Sequence, residues 1–247
     1  MPERKPTIVT TSWDDGHPSD LRLAGLLSEH GIPGTFYICP RNRERAALTA
    51  EQTRRLAERF EIGAHSHSHD DLRRLSDDEL ERQLLLGRAE LEARIGRPVN
   101  MFCYPYGRHN PRVRRAVIRT GFIGARTTRI LGLDAPADPW EMPATIAARD
   151  LHWSLWFAVC LRRRNWTGLR ELATVGVGKS WVELACALFE RARLRGGVWH
   201  LRGHSWEVEE GGLWSGLREI LRFVSGRDDV LYMTNGDLVR RVSARDG

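Results

Sequence analysis

The sequence has few lysines, few cysteines and no long hydrophobic run. Lys5 and Lys179 are its only lysines, so arginine supplies nearly all of the basic charge behind a formal net charge of +6. The arginines are scattered among acids, as in segment 77–97, and do not interleave with aromatic residues in one basic patch. This pattern predicts a solvated surface and no nucleic-acid partner, and it leaves an anionic substrate open as an alternative.

The four cysteines are too far apart to form a recognisable site. Cys39, Cys103, Cys160 and Cys186 lack the close pairs that a zinc ribbon or a thiol redox centre requires. A chain of 247 residues buries enough apolar surface to fold without disulfides or a structural metal. We therefore expect each cysteine to be a small buried side chain.

The longest apolar segment, Leu151–Leu161, is too short to span a bilayer, which takes about 20 residues. We expect it to belong to the core and predict no stable membrane insertion. The N-terminal segment Met1–Thr7 is short and polar and shows no signal-peptide pattern. This composition predicts a bacterial cytoplasmic protein and leaves its oligomeric state open.

Strand-like and helix-like segments alternate along the chain. The predicted strands are 7–12, 35–39, 61–64, 100–104, 122–125, 144–148, 197–201 and 230–232. The predicted helices are 19–30, 49–59, 76–95, 111–119, 151–164, 180–195, 213–225 and 237–242. The alternation predicts an α/β domain with a mainly parallel sheet, either a barrel or an open doubly wound sheet.

Polar clusters directly follow several of these strands. They are Asp14–Asp15, His65–His69, Tyr104–Tyr106 and His204. In both candidate folds the chemistry gathers at the carboxyl ends of the strands. Clusters at one end of the sheet therefore predict a functional site there.

Segment His65–His69 contains three histidines within five residues. Imidazole nitrogens are good ligands for zinc and other divalent ions. His65 and His69 could converge on one ion if the segment turned helically, with His67 pointing elsewhere. The alternative is a polar loop whose histidines bond to the backbone.

Asp14 and Asp15 are adjacent carboxylates followed by Gly16. One carboxylate could bind a metal while the other accepts a proton, and Gly16 would permit the turn. An ordinary Asp-Gly turn is the alternative. Taken with the two histidines, the pair supplies three ligands and a base, which is the pattern of an open catalytic metal site.

Three segments of the first half resemble the polysaccharide deacetylase family, the NodB-type carbohydrate esterases. They read Ser-Trp-Asp-Asp-Gly at 12–16, His-Ser-His-Ser-His at 65–69 and Cys-Tyr-Pro-Tyr-Gly at 103–107. The resemblance covers roughly Thr7–Ala125. It implies a single catalytic domain over residues 1–247, folded as a distorted (β/α)7-type barrel, that hydrolyses an N-acyl group, typically N-acetyl, on an amino sugar.

The resemblance also implies roles for individual residues. Asp15, His65 and His69 would bind one divalent metal ion, zinc foremost, with cobalt, nickel, manganese or iron also fitting the ligands. Asp14 would be the general base that deprotonates the attacking water. The main-chain N–H of Tyr106 would stabilise the oxyanion.

The chain departs from the family pattern in its third motif, where Cys103 stands in place of the usual arginine. That arginine supports the general base, so another cation, such as a nearby arginine, would have to support Asp14. The general acid has two candidates, since His200 lies within a predicted strand and His204 just past its end. We favour His204, because catalytic groups belong at the strand end.

Pro105 and Trp206 complete the expected substrate-binding residues beside Tyr106. The expected substrate is a small molecule or an oligosaccharide, such as a sugar nucleotide, a lipid-linked sugar precursor or an aminoglycoside-like metabolite. Two alternatives stay open: a hydrolase of non-sugar amides or cyclic imides at the same site, and a non-catalytic carbohydrate-binding relative.

Overall fold

The computed structural model describes residues 5–176 and 178–244, which form eight strands and ten helices. The strands are β1 (Thr7–Asp15), β2 (Thr35–Ile38), β3 (Glu61–Ala64), β4 (Met101–Cys103), β5 (Gly124–Arg126), β6 (Ile146–Ala147), β7 (Val198–Gly203) and β8 (Val230–Tyr232). The helices are α1 (Asp20–Glu29), α2 (Ala50–Ala57), α3 (Asp77–Ile95), α4 (Pro111–Arg119), α5 (Trp153–Arg162), α6 (Trp166–Val175), α7 (Trp181–Arg195), α8 (Ser205–Glu210), α9 (Trp214–Val224) and α10 (Asn235–Ser243).

The strands form one parallel sheet in the order β5-β4-β3-β2-β1-β7-β6, with β8 paired to the start of β1. Met142, just before β6, makes a parallel bridge to Arg126 of β5, so the segment 142–147 links the two ends of the sheet. The sheet thus curls into a distorted barrel. The parallel α/β barrel that the resemblance implied is confirmed, and the open doubly wound sheet is not formed.

Strand β1 is the centre of the sheet, and all nine of its residues are buried. Burial on both faces is expected for a parallel strand with helices outside and packed side chains inside. The strand continues past Ser12, its predicted end, through Asp14 and Asp15, which pair with Tyr37 and Ile38 of β2. The two carboxylates therefore lie on the last residues of a strand and not in a loop.

Helix α3 shows how local signals fix an element. Ser76 and Glu79 form the predicted capping box, and Gly96 ends the helix in the left-handed conformation. Helix α4 begins at Pro111 as predicted, because proline fits the first turn of a helix.

Two helices were missed. Helix α6 follows α5 after a short turn and contains Gly168, which lowers helix propensity. Helix α8 has only six residues, too few for a clear periodic pattern.

The expectation that Leu151–Leu161 is core is wrong for much of that segment. Leu155, Phe157 and Leu161 of α5 are exposed, whereas Trp156 and Cys160 are buried. The α5–α6 pair lies on the surface, so only one face of α5 meets the core. In the described part of the chain, no helix is long and apolar enough to cross a membrane.

Candidate metal centre and catalytic pocket

A pocket of about 410 Å³ opens at the carboxyl ends of the barrel strands. The residues expected at the site that line it are Asp14, Asp15, His65, His69, Tyr106, His204 and Trp206. Strands β1, β3 and β7 end at this edge of the sheet, which is why segments far apart in sequence meet here. Pro105 is buried and lies outside the pocket lining.

Asp15, His65 and His69 converge on one point. The Nε2 atom of His65 lies 3.6 Å from Oδ1 of Asp15, and Nε2 of His69 lies 3.4 Å from the same oxygen. All three side chains are buried. Two imidazoles and one carboxylate that face each other across such distances suit a divalent ion with an open coordination position.

The remaining polar atoms of the three side chains already have partners. The Nδ1 of His65 bonds to the Cys103 carbonyl at 2.8 Å, and Nδ1 of His69 bonds to Glu44 at 3.1 Å. Trp206 donates its indole N–H to Oδ2 of Asp15 at 2.8 Å. Oδ1 of Asp15 is buried and has no hydrogen-bond partner among the described residues. The unsatisfied atoms are therefore the ones that a metal would bind, and the donor set fits the implied ion.

The charge state of His65 also suits a ligand. Burial, together with the nearby His69, lowers the pKa of His65 to about 4, so the imidazole is neutral at physiological pH. A second group of ligand atoms, from Asp14, His65 and Cys103, is less suitable. Burial raises the pKa of the Cys103 thiol well above its ordinary value, so the thiolate is disfavoured.

The histidine segment is an irregular loop, so His65 and His69 converge without the helical turn that was one way to bring them together. Ser66 and His69 both adopt positive φ angles, 60° and 65°, and this backbone brings His69 back towards His65. His67 points away and bonds to Glu90 at 3.1 Å, as expected of a third histidine outside the ligand set.

Helix α3 holds this loop in place. The side-chain oxygen of Gln83 accepts from the main-chain N–H groups of His67 and Ser68, both at 3.0 Å. Gly87 lets the backbone approach closely, because a Cβ there would lie 2.8 Å from the Ser66 carbonyl carbon. The position of the loop that carries the candidate ligands His65 and His69 thus depends on a helix that contributes no candidate ligand.

Backbone strain is concentrated at the pocket. Asp15, Ser66, His69 and Tyr106 account for four of the six non-glycine residues with positive φ among those described. Such conformations cost free energy and persist where the surroundings enforce them, commonly at functional sites. Gly16 follows Asp15 at φ 70°, as the predicted turn requires.

Asp14 is paired with Arg126, an arginine from another strand. The guanidinium of Arg126 is fully buried on β5 and donates to Oδ1 of Asp14. Burial alone would raise the pKa of Asp14, but Arg126, His65 and His204 outweigh it and hold that pKa well below its usual range. Arg126 thus provides the cation beside Asp14 that was expected because Cys103 replaces the family's usual arginine.

His204 follows β7 directly and faces both carboxylates. Its Nε2 atom lies 3.7 Å from Asp14 and 3.9 Å from Asp15. Its Nδ1 atom bonds to Glu207 at 2.7 Å, and Glu207 is in turn paired with Arg149. Burial opposes ionisation of Glu207, yet His204 and Arg149 lower its pKa to about 2, so Glu207 is a carboxylate that orients the ring.

His200 lies inside β7, away from the pocket. Its two ring nitrogens bond to Ser12 at 2.8 Å and to the Pro143 carbonyl at 3.0 Å. Burial and the charge of Arg126 lower its pKa to about 3. A neutral, fully bonded ring is poorly suited to donate a proton to substrate, which favours the choice of His204.

Tyr106 and Trp206 both line the pocket and contact the adjacent residues Glu44 and Arg45. The Tyr106 ring packs on His69 with centroids 4.5 Å apart, and its hydroxyl donates to Glu44. Arg45 stacks on Trp206 at 3.8 Å. One face of Trp206 is therefore covered, and its indole N–H serves Asp15.

Several polar residues of this site were missed in the sequence. Those that line the pocket are Glu44, Arg45, Thr128, Arg149, Arg163 and Arg202, and Arg126 lies behind Asp14. Each lies in a segment without a motif, and most are arginines in an arginine-rich chain. The only available signal was positional, since Arg126 directly follows the predicted strand 122–125 and Arg202 the predicted strand 197–201.

Comparisons with known proteins agree with this geometry. The family model described as polysaccharide deacetylase matches residues 2–124, about half of the chain. A protein from Mycobacterium smegmatis assigned to the polysaccharide deacetylases is 21% identical, with a TM-score of 0.72 over 100% of this chain and 93% of its own. A search of curated proteins gave no significant match.

Two further structural relatives were solved in complex with acetate. The family 4 carbohydrate esterase from Streptomyces lividans is 15% identical, with a TM-score of 0.57 over 91% of this chain and 90% of its own. A Streptococcus pyogenes deacetylase is 17% identical, with a TM-score of 0.51 over 54% of this chain. This chain spans 62% of that relative, so the match is partial. At these identities the structural likeness establishes the fold.

Proposed function

The chain belongs, through residues 2–124, to the polysaccharide deacetylase family, and from this premise we propose that it is a metal-dependent hydrolase. Its reaction would remove an N-acyl group, typically N-acetyl, from an amino sugar or a metabolite that contains one. Acetate, the product of such a reaction, is the ligand of two of its structural relatives.

Asp15, His65 and His69 would hold the divalent ion, with zinc as the first candidate. An ion held there would supply Lewis acidity, which polarises the acyl oxygen and makes a water molecule a better nucleophile. Trp206 and the Cys103 carbonyl fix the orientation of Asp15 and His65. Such outer partners typically change metal affinity by about 10- to 100-fold.

Asp14 would accept the proton of the attacking water. Arg126 keeps its carboxylate ionised, so the base is unprotonated throughout the physiological pH range. The same ion pair fixes Oδ1, which leaves Oδ2 facing the pocket and His204. A positioned general base contributes about 10²- to 10⁴-fold to such a reaction.

His204 would protonate the departing amine nitrogen. Glu207 holds Nδ1 and stabilises the imidazolium, while Nε2 faces the pocket. The main-chain N–H of Tyr106 would help to stabilise the oxyanion, at a residue with φ 57°. The base and the acid would thus act from opposite halves of the chain.

One observation supports this proposal most strongly. The Nε2 atoms of His65 and His69 face Oδ1 of Asp15, a buried carboxylate oxygen that has no hydrogen-bond partner among the described residues. Buried polar atoms are otherwise almost always bonded. The pairing of Asp14 with Arg126 supports a catalytic role despite Cys103, because the proposed base has a cation beside it. The cytoplasmic location stays a prediction.

The test combines acetate release with metal analysis. Purified protein is assayed on N-acetylglucosamine oligomers and on a cyclic imide, before and after chelation, with the metal measured by mass spectrometry. We expect acetate release that chelation abolishes and metal restores, and His69→Ala should lose both metal and activity. His67→Ala is the matched control, because His67 bonds to Glu90 outside the ligand set. Imide opening without acetate release would refute the proposal.

A further inference from the structure

Four arginines line the pocket, and two of them, Arg45 and Arg149, are paired with the acids Glu210 and Glu207. Asp14 is paired with Arg126, and Glu207 with Arg149. Asp15 faces the two imidazoles of the candidate metal centre. Arg202 also lines the pocket, yet no carboxylate of the described residues lies within ion-pair distance of it.

Arg202 is held in place by its strand. It lies on β7, paired with Ser12 of β1 on one side and Ala147 of β6 on the other. The residue is only 9% exposed, and its Nε atom is buried without a hydrogen-bond partner among residues 5–176 and 178–244. The side chain is therefore an almost fully buried guanidinium at the wall of an open cavity.

A cation in this position is costly unless something binds it. Burial, followed by repulsion from Arg126, lowers the pKa of Arg202 to about 10, so it still carries its charge at neutral pH. Native proteins rarely leave a buried charge without a partner. Arg202 therefore has a free hydrogen-bonding fork suited to a planar or tetrahedral oxyanion.

A second arginine adds positive potential to the same cavity. Arg163 lines the pocket from the end of α5 and bonds to the hydroxyl of Thr128 at 3.1 Å. Within the described residues it forms no ion pair with an acid. Its charge is exposed and would attract an anion into the pocket rather than hold it in one geometry.

We propose that Arg202 is the anchor of an anion subsite next to the metal centre, and that the substrate is an N-acylated amino sugar bearing a carboxylate or phosphate group. This inference rests on the proposed deacetylase function for the identity of the sugar. It makes Arg202 a residue that determines which amino sugars are accepted. A neutral oligosaccharide would leave the guanidinium without a partner.

The kinetic test compares three soluble probes. N-acetylmuramic acid supplies a carboxylate, N-acetylglucosamine 6-phosphate a phosphate, and methyl N-acetylglucosaminide no charge. We expect kcat/KM to favour one of the anionic probes over the neutral one, which identifies the group. Arg202→Met should reduce that preference by about 10- to 100-fold, as expected for the loss of a hydrogen-bonded charge pair. An equal loss on charged and neutral probes would overturn the subsite.

Two further variants keep the test interpretable. Arg202→Lys retains the positive charge but not the paired N–H donors of the guanidinium. It should therefore recover part of the preference for the anionic probe that Arg202→Met loses. Arg170→Met, an exposed arginine on α6 outside the pocket, is the matched control and should leave the preference unchanged. Because methionine replaces an unpaired buried cation with an apolar chain of similar length, Arg202→Met should fold, which thermal melts would verify.

Binding to the metal-free protein separates this inference from the proposed function. Isothermal titration of inorganic phosphate and of acetate into chelated wild-type protein should show one site, weakened about tenfold or more by Arg202→Met and unaffected by Arg170→Met. Binding without any amide hydrolysis would support the subsite and refute the deacetylase. Hydrolysis of the neutral probe, with no anion binding that depends on Arg202, would support the deacetylase and refute the anion subsite.

Discussion

The two walls of the pocket differ in origin and in charge. The ligand wall, formed by Asp15, His65 and His69, comes from the first half of the chain and offers a carboxylate and imidazoles. The cationic wall consists of Arg149, from the loop after β6, and Arg202, from β7, with Arg126 of β5 buried behind Asp14. The ligand wall is fixed by short sequence motifs, whereas only the barrel brings the three arginines together.

This difference suggests a division of work. The ligand wall would carry out the reaction. The cationic wall would keep the base Asp14 ionised and select substrates that carry a negative charge. Asp14 lies between them, with its backbone beside Asp15 and its carboxylate on Arg126. Variants that affect one wall at a time would test this division.

The largest expected effect is at Asp14. Asp14→Asn removes the proposed base but no metal ligand, so activity should fall by at least about a hundredfold while bound metal is retained. Acetate release and metal content, measured on the same sample, would establish this. Asp78→Asn, at an exposed acid on α3, is the control. Unchanged turnover in Asp14→Asn would eliminate the proposed base.

Arg126→Met should have the next largest effect, because Arg126 holds the pKa of Asp14 low. Without it that pKa rises, so the acid limb of the kcat/KM profile should move to higher pH and activity should fall by about 10- to 100-fold. Arg126→Lys should restore part of the shift. A pH profile identical to that of the wild type would contradict this role.

The same pair contributes to folding stability. A carboxyl with a lowered pKa in the folded state adds stability above its unfolded value, near 3.8, and this stability is lost as pH falls towards the folded value. Breaking the buried pair should therefore destabilise Arg126→Met by about 3–5 kcal/mol at neutral pH. Denaturant titrations at several pH values would measure it.

A smaller effect is expected behind the ligand wall, at Gly87. Gly87→Ala forces the loop at Ser66 and His67 to shift, since the new Cβ would lie 2.8–3.0 Å from their backbone. Metal affinity should fall by about tenfold, measured by competition with a chelator. Gly25→Ala on α1 is the matched control, because its Cβ would meet nothing within 4 Å. Equal metal affinity in both variants would show that α3 does not position the loop.

Asp20→Asn should have the smallest effect on activity, within about threefold. Asp20 is fully buried beside Ser205, and burial, with Asp15 and Asp14 nearby, outweighs the Ser205 hydroxyl and raises the pKa of Asp20 well above 3.8. Because the folded state then keeps a proton that the unfolded state releases, stability should fall as pH rises above that value, by up to about 1.4 kcal/mol per unit. Melts of metal-free protein should show a shallower pH slope for Asp20→Asn. Parallel slopes would mean that Asp20 ionises normally.

Much of the fold was predictable because its signals are local. The capping box at Ser76 and the proline at 111 fixed two helices within one residue. The continuation of β1 as far as Asp15 was not predictable. Two aspartates at the end of a buried strand are stable only where a metal or other cations compensate their charge, and those groups come from elsewhere in the chain.

The site was predictable as far as its motifs extended. The resemblance to the family's motifs names Asp15, His65 and His69, but the irregular loop that joins the histidines depends on Gln83 and Gly87 of α3. Arg126 compensates for Cys103 from the neighbouring strand, a relation that only pairing of β4 with β5 creates. The exposed face of α5 was missed, because its apolar composition gives no indication of which side meets the core.

Anomalous diffraction from crystals grown with metal tests the central claim most directly. We predict a single peak at the ligand wall, about 2.0–2.2 Å from Oδ1 of Asp15 and from Nε2 of both His65 and His69, with Asp14 remaining on Arg126. A peak coordinated by Asp14 and the Cys103 thiol, or no peak in catalytically active crystals, would contradict the account.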